Sequence, residues 1–190
     1  MMRKGKLSPS HQYVALLRGI NVGGNCRVEM RQLQALCESL GYADVMTCIN
    51  SGNVIFSSSK TAAAILRELE PALEKTFTFH IPTILRTKQE LQTIVDEVPK
   101  KWVNDSDQKT DVLFLWPTYN NKKTLNLIAQ NPKADELRYV PGAIIWHIDR
   151  GNYTQSKMRD FIGTVVYKHM TARNINTVRK LVVLMTSIKK

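Results

Sequence analysis

Three short stretches of this chain hold the residues best suited to chemistry. The first is Arg18-Gly19-Ile20-Asn21-Val22-Gly23-Gly24, which follows directly on an apolar run at 13–17. The second is Asn50-Ser51-Gly52-Asn53, between two strand-like runs, and the third is Arg173-Asn174-Ile175-Asn176, leading into the last helical pattern. The chemistry these types support is anion recognition. An arginine pairs with phosphate or carboxylate, glycine lets the backbone take positive φ and approach closely, and exposed amide N–H groups donate to the anion. A helix N-terminus, supplied at 173–176, adds free N–H groups and a partial positive charge. The ligand-binding set expected on these grounds is Arg18, Asn21, Gly23, Gly24, Ser51, Asn53, Arg173 and Asn174. The competing reading is that Gly and Asn only build turns, while Arg173 and Asn174 brace the fold.

Other chemistries find little support. The glycine loop is neither G-x-G-x-x-G nor G-x-x-x-x-G-K-[ST], so neither a dinucleotide fold nor a P-loop is indicated. H-E-x-x-H and G-x-S-x-G are absent from the sequence. His11, His80, His147 and His169 are scattered. The three cysteines, Cys26, Cys37 and Cys48, include no C-x-x-C pair, which argues against a disulfide framework or structural zinc. No metal and no cofactor are expected. An enzyme of unknown reaction stays open, without a nameable catalytic residue.

Net charge is +11, and residues 151–190 carry 8 basic and 1 acidic side chains. That end gives an alternative function: sequence-independent nucleic-acid binding through Lys157, Arg159, Lys168, Arg179 and Lys180. An RNA-recognition sheet would show interleaved aromatics, and the strand at 53–56 has one, Phe56. No apolar run approaches the length of a membrane span. Residues 1–11 read as a disordered basic leader without the apolar core of a signal peptide, so the expected location is cytoplasmic.

Strand and helix patterns alternate along the chain. The first half reads strand 13–17, helix 30–40, a hairpin of strands 44–49 and 54–57, helix 61–76 with Pro71 inside it, and a short strand at 82–86. A T-x-x-E box, Thr87 and Glu90, opens a further helix. A polar connector follows at 100–109. The second half reads strand 111–116, helix 121–130, a hairpin of 136–140 and 143–148 across Pro141-Gly142, a helix from about 156 burying Met158, Phe161, Ile162 and Val165, and a last helix from about 176. Each half is most of a ferredoxin-like unit. The expectation is an α+β protein of two ferredoxin-like (βαββα-type) subdomains packed together, over 12–99 and 110–190.

That topology has a positional consequence. The loop after the first strand and the tip of the first hairpin must share one end of their sheet. The chain at 173–176 is expected at the equivalent end of the second sheet.

The stretches A-L-L-R-G-I-N-V-G-G, I-N-S-G-N-V-I-F and R-N-I-N-T-V-R-K-L resemble the signature segments of the bacterial domain of unknown function 1697 family. The resemblance implies two ferredoxin-like subdomains and carries no activity. What it leaves is a cationic, Gly/Asn-rich site whose best-fitting ligand is a small phosphate- or carboxylate-bearing molecule.

Overall fold

The structure, a computed structural model, describes residues 10–24, 26–49 and 52–188. Contacts divide the chain into two units, with the boundary between Thr87 and Lys88.

In the first unit β1 (His11–Leu17), β2 (Ala43–Cys48), β3 (Asn53–Ser58) and β4 (Thr83–Thr87) form one sheet in the order β2-β3-β1-β4. All its neighbours are antiparallel. The order follows from the connections. Helix α1 (Met30–Ser39) carries the chain from β1 to β2, and α2 (Ala62–Phe77) carries it from β3 to β4. Alternation along β1 sends Tyr13, Ala15 and Leu17 to the helical face, where they pack with Val54, Phe56, Leu33, Leu69 and Leu73. Thr61 caps α2 by accepting from the Ala64 N–H. A proline inside a helix kinks or splits it, yet α2 continues as one helix through Pro71. Ile65 and Leu69 are buried before the proline and Leu73 and Phe77 after it, so both halves are held against the core despite the lost N–H.

The second unit repeats the sheet. Its strands β5 (Gln108–Leu115), β6 (Glu136–Val140), β7 (Ala143–Asp149) and β8 (Met170–Asn174) are ordered β6-β7-β5-β8, again antiparallel. The molecule is therefore α+β, with ferredoxin-like strand order in both units. Helix α3 (Lys88–Asp96) packs on α6 (Ile175–Ser187).

The helices of this unit differ from those the sequence predicts. The pattern at 121–130 forms a 3-10 turn, Lys122–Leu127, and leaves Leu127 exposed. The pattern from 156 forms two single turns, α4 (Met158–Phe161) and α5 (Val165–Lys168). Met158 and Phe161 are buried as expected, whereas Ile162 and Val165 are 55% and 64% exposed. Gly163, at φ 101°, breaks the helix between them.

Strand β8 was not foreseen, and it moves a predicted site. It pairs Met170 with Leu115 and Asn174 with Asp111. The chain thus reaches Arg173 and Asn174 at the rim where β5 begins. The Arg18 loop lies at the rim where β1 ends. The expectation of equivalent rims is corrected: a five-residue strand carries the chain the length of the sheet before the last helix starts.

Candidate functional site

The candidate site lies at one rim of the first unit. β1 leaves the sheet at Leu17, flanked by β3 and β4. The Leu17 N–H donates to the Gly52 carbonyl at 2.9 Å, and the Arg18 N–H donates to the Pro82 carbonyl at 2.9 Å. The glycine loop and the hairpin tip therefore meet at one rim, as chain direction requires.

Gly52 explains how closely they meet. It sits at φ 74°, and a Cβ there would come within 2.6 Å of Ile20 Cδ1 and 3.0 Å of Leu17 Cβ. Ile20 is 3% exposed, so this contact is part of the core. Asn53 is fully buried, and its Nδ2 donates to the Cys48 carbonyl at 2.9 Å, tying the hairpin across its turn. Ser51, a member of the predicted set, lies outside the described residues.

Asn21 ties the glycine loop at its base. At φ 54°, its Oδ1 accepts from the Val28 N–H at 2.9 Å and its Nδ2 donates to the Val28 carbonyl at 3.0 Å. Its own N–H donates to the Cys26 carbonyl at 3.1 Å. The side chain thus imitates a backbone pair, a role asparagine fills well at left-handed positions. Beyond it Gly23 and Gly24 follow one another at φ 60° and 81°, both exposed, with no atom within 4 Å of where a Cβ would stand. No hydrogen bond to either glycine amide forms among the described residues. Arg18, at the start of the same loop, is half-buried.

Arg173 and Asn174 have defined work inside the second unit. Arg173 is buried, and its guanidinium donates to the Thr171 hydroxyl at 3.0 Å and the Ala172 carbonyl at 2.8 Å. Burial lowers its pKa to about 10. Asn174 is the N-cap of α6, its Oδ1 accepting from the Thr177 N–H at 2.8 Å. Two of the cations proposed for nucleic acid are also engaged. Arg179 donates to the carbonyls of Trp102 and Pro99, and Lys157 lies 3.6 Å from Asp160.

Sequence reasoning missed a second polar region, in the second unit. Its residues come from segments too far apart for any spacing to reveal. Trp102 stacks on His147 with ring centroids 4.2 Å apart, and His147 Nδ1 lies 2.8 Å from the Thr110 hydroxyl. Burial lowers the His147 pKa, outweighing the opposing fields of Asp149 and Glu136. Thr110 and His147 would suit a nucleophile and its base, but Thr110 is completely buried and no substrate can reach it. Asp135 beside them accepts from the N–H groups of Asn131 and Lys157, the Ser156 hydroxyl and the Trp146 indole. Burial pushes its carboxyl up, and those donors more than reverse the push, leaving its pKa below the usual value. Among the described residues, no group of three His, Cys, Asp or Glu side chains could hold a metal ion. No helix of the described residues is long and apolar enough to cross a membrane.

Comparison with known proteins agrees with this architecture. Residues 11–146 match the family described as Protein of unknown function (DUF1697), and the chain belongs to that family. Its structure is similar to that of a conserved bacterial protein from Streptococcus pneumoniae, with a TM-score of 0.77 and 25% sequence identity. The match covers 93% of this chain and 99% of the other. No curated protein matches the chain.

Proposed function

We propose that this member of the family binds a small phosphate- or carboxylate-bearing anion at the rim formed by the Arg18 loop. The observation that carries the reading is the pair Gly23–Gly24. Both residues are left-handed and exposed, with open space around them and no internal partner for their amides among the described residues. Successive backbone N–H groups exposed in a turn form an anion-binding concavity, and Arg18, at the start of the same loop, supplies the matching charge. Asn21, Gly52 and Asn53 act as positioning residues. Their hydrogen bonds and contacts hold the two turns in register, and the buried Asn53 side chain has no face toward a ligand. Arg173 and Asn174 are accounted for within the second unit, so the reading does not depend on them.

Thermal unfolding in the presence of inorganic phosphate, nucleotides and small phosphorylated or carboxylated metabolites tests the proposal. A ligand at about 100 times its dissociation constant adds about 2.7 kcal/mol of stability. Arg18→Ala is expected to remove the response while leaving the protein folded. A variant that melts early, with the ligand response intact, would give Arg18 a bracing role instead.

A further inference from the structure

One face of the second sheet is covered by two connections, residues 116–135 between β5 and β6 and residues 150–169 between β7 and β8. From these, Ile128, Met158 and Phe161 pack with Leu113, Leu115 and Trp146 of the sheet. The connections are also laced to each other. The rings of Tyr119 and His169 lie 5.1 Å apart, Asn131 Nδ2 donates to the Gln155 carbonyl at 3.1 Å, and the Lys157 N–H donates to Asp135 at 3.0 Å. They form one layer.

That layer is too thin to bury all of its own apolar residues. Turns of four to six residues stand where the first unit has helices of ten and sixteen residues. Leu127, Ile162 and Val165 are left 55%, 55% and 64% exposed. The same layer is strongly basic. Its two connections hold seven lysines and arginines against two carboxylates, Asp135 and Asp160, a net of +5. Adding Glu136 and Asp149, at the strand ends beside it, still leaves +3. Of its own two carboxylates only Asp160 is exposed, 3.6 Å from Lys157. Lys122, Lys123, Arg159 and Lys168 are exposed and have no ion pair among the described residues. Along the chain they bracket the aliphatics, the lysines ahead of Leu127, and Arg159 and Lys168 on either side of Ile162 and Val165.

Exposed aliphatic side chains among unmatched cations fit a surface that is anionic outside and hydrocarbon beneath. We propose that this layer docks on an anionic lipid bilayer. Leu127, Ile162 and Val165 enter the acyl boundary, and the four unpaired cations meet the lipid phosphates. The contact lies on the membrane surface and calls for no spanning helix. A nucleic-acid backbone satisfies only half of the arrangement, since it meets the cations and leaves the aliphatics in water. Binding at a lipid interface grows with both the apolar area buried and the attraction to anionic headgroups.

The test is co-sedimentation of the full chain with vesicles of phosphatidylglycerol mixed with phosphatidylcholine, and with vesicles of phosphatidylcholine alone. Binding to the mixed vesicles is expected to fall with added salt, and to exceed binding to phosphatidylcholine alone by at least about tenfold. Ile162→Ser combined with Val165→Ser should weaken it about tenfold, and Lys122→Ala or Lys123→Ala about fivefold each. All these side chains are exposed, so the melting temperature should hold. Leu127→Ser, in the other connection, gives an independent reading and should also weaken binding. Ile162→Trp should add an emission that shifts to the blue on mixed vesicles and not on a single-stranded oligonucleotide. No binding to mixed vesicles, or equal binding to phosphatidylcholine alone, overturns the proposal. So does a loss on lysine substitution with none on the aliphatic substitutions, which would assign the layer to charge alone, as for nucleic acid. Arg18→Ala should leave vesicle binding unchanged, so the outcome is separate from that of the anion proposal.

Discussion

The two units share one strand order and differ in how they make their surfaces. In the first, two full helices back the sheet, and one rim is built from unusual backbone. Gly19, Asn21, Gly23, Gly24, Cys26, Ile49 and Gly52 all take positive φ there. In the second, the helices between its strands shrink to one or two turns, and only Gly142 and Gly163 take positive φ among the described residues. Its features are made by side chains instead, through Asp135, His147, Thr110 and Trp102. The sheet evidently tolerates either covering. Strand pairing and a buried apolar face carry the architecture, and the helical layer is free to vary.

The contrast can be broken most forcefully in the core. Phe56→Ala removes a fully buried ring that stacks on Tyr42 at 4.4 Å, and should cost the first unit about 3–5 kcal/mol by denaturant unfolding. If a helix-backed core matters no more than the short turns of the second unit, the loss will be much smaller. Next in size is Gly52→Ala, which drives a methyl into Ile20 at a left-handed position and should cost about 2–3 kcal/mol. Gly23→Ala meets no atom, so only the backbone cost of about 1 kcal/mol is expected. Finding Gly52→Ala no worse than Gly23→Ala would show that the first rim is not packed as described.

The smallest effect belongs to the second unit and is read through pH. The folded chain holds the His147 pKa below its ordinary value, so below about pH 6.5 the unfolded chain binds more protons at this residue. Its contribution to stability is full above that pH and is lost as pH falls through the folded value. His147→Gln should flatten stability against pH across that acid window. An unchanged slope would assign the acid sensitivity to other groups.

Much of this was legible from residue types. Glycines at 19, 23, 24 and 52 announce left-handed backbone, and helical spacing at 33, 36, 37 and 40 announces a buried face, where Cys37 is fully buried. Burial pushes that thiol up to about 12, so it behaves as a core residue. Cys26, Ile49 and Asp44 also take positive φ, which no propensity for those types foretells. Met158, Phe161, Ile162 and Val165 imitate one helix because their spacing is right, although Gly163 interrupts it. β8 is hidden by its brevity, since Met170-Thr171-Ala172 shows no alternation to read. The polar region of the second unit is illegible for another reason. Trp102, Asp135 and His147 become neighbours only through pairing and turns distant in sequence.

The missing Cβ at residue 52 ties two parts of the sequence into one. Ile20 occupies the room a side chain at 52 would need, so neither position can be altered independently of the other. Trimming the isoleucine should rescue a methyl introduced across from it: Ile20→Ala placed in a Gly52→Ala background ought to relieve the collision, leaving the backbone penalty and the lost packing behind. A loop and a hairpin some thirty residues apart would then be exchangeable between related chains only as a matched pair.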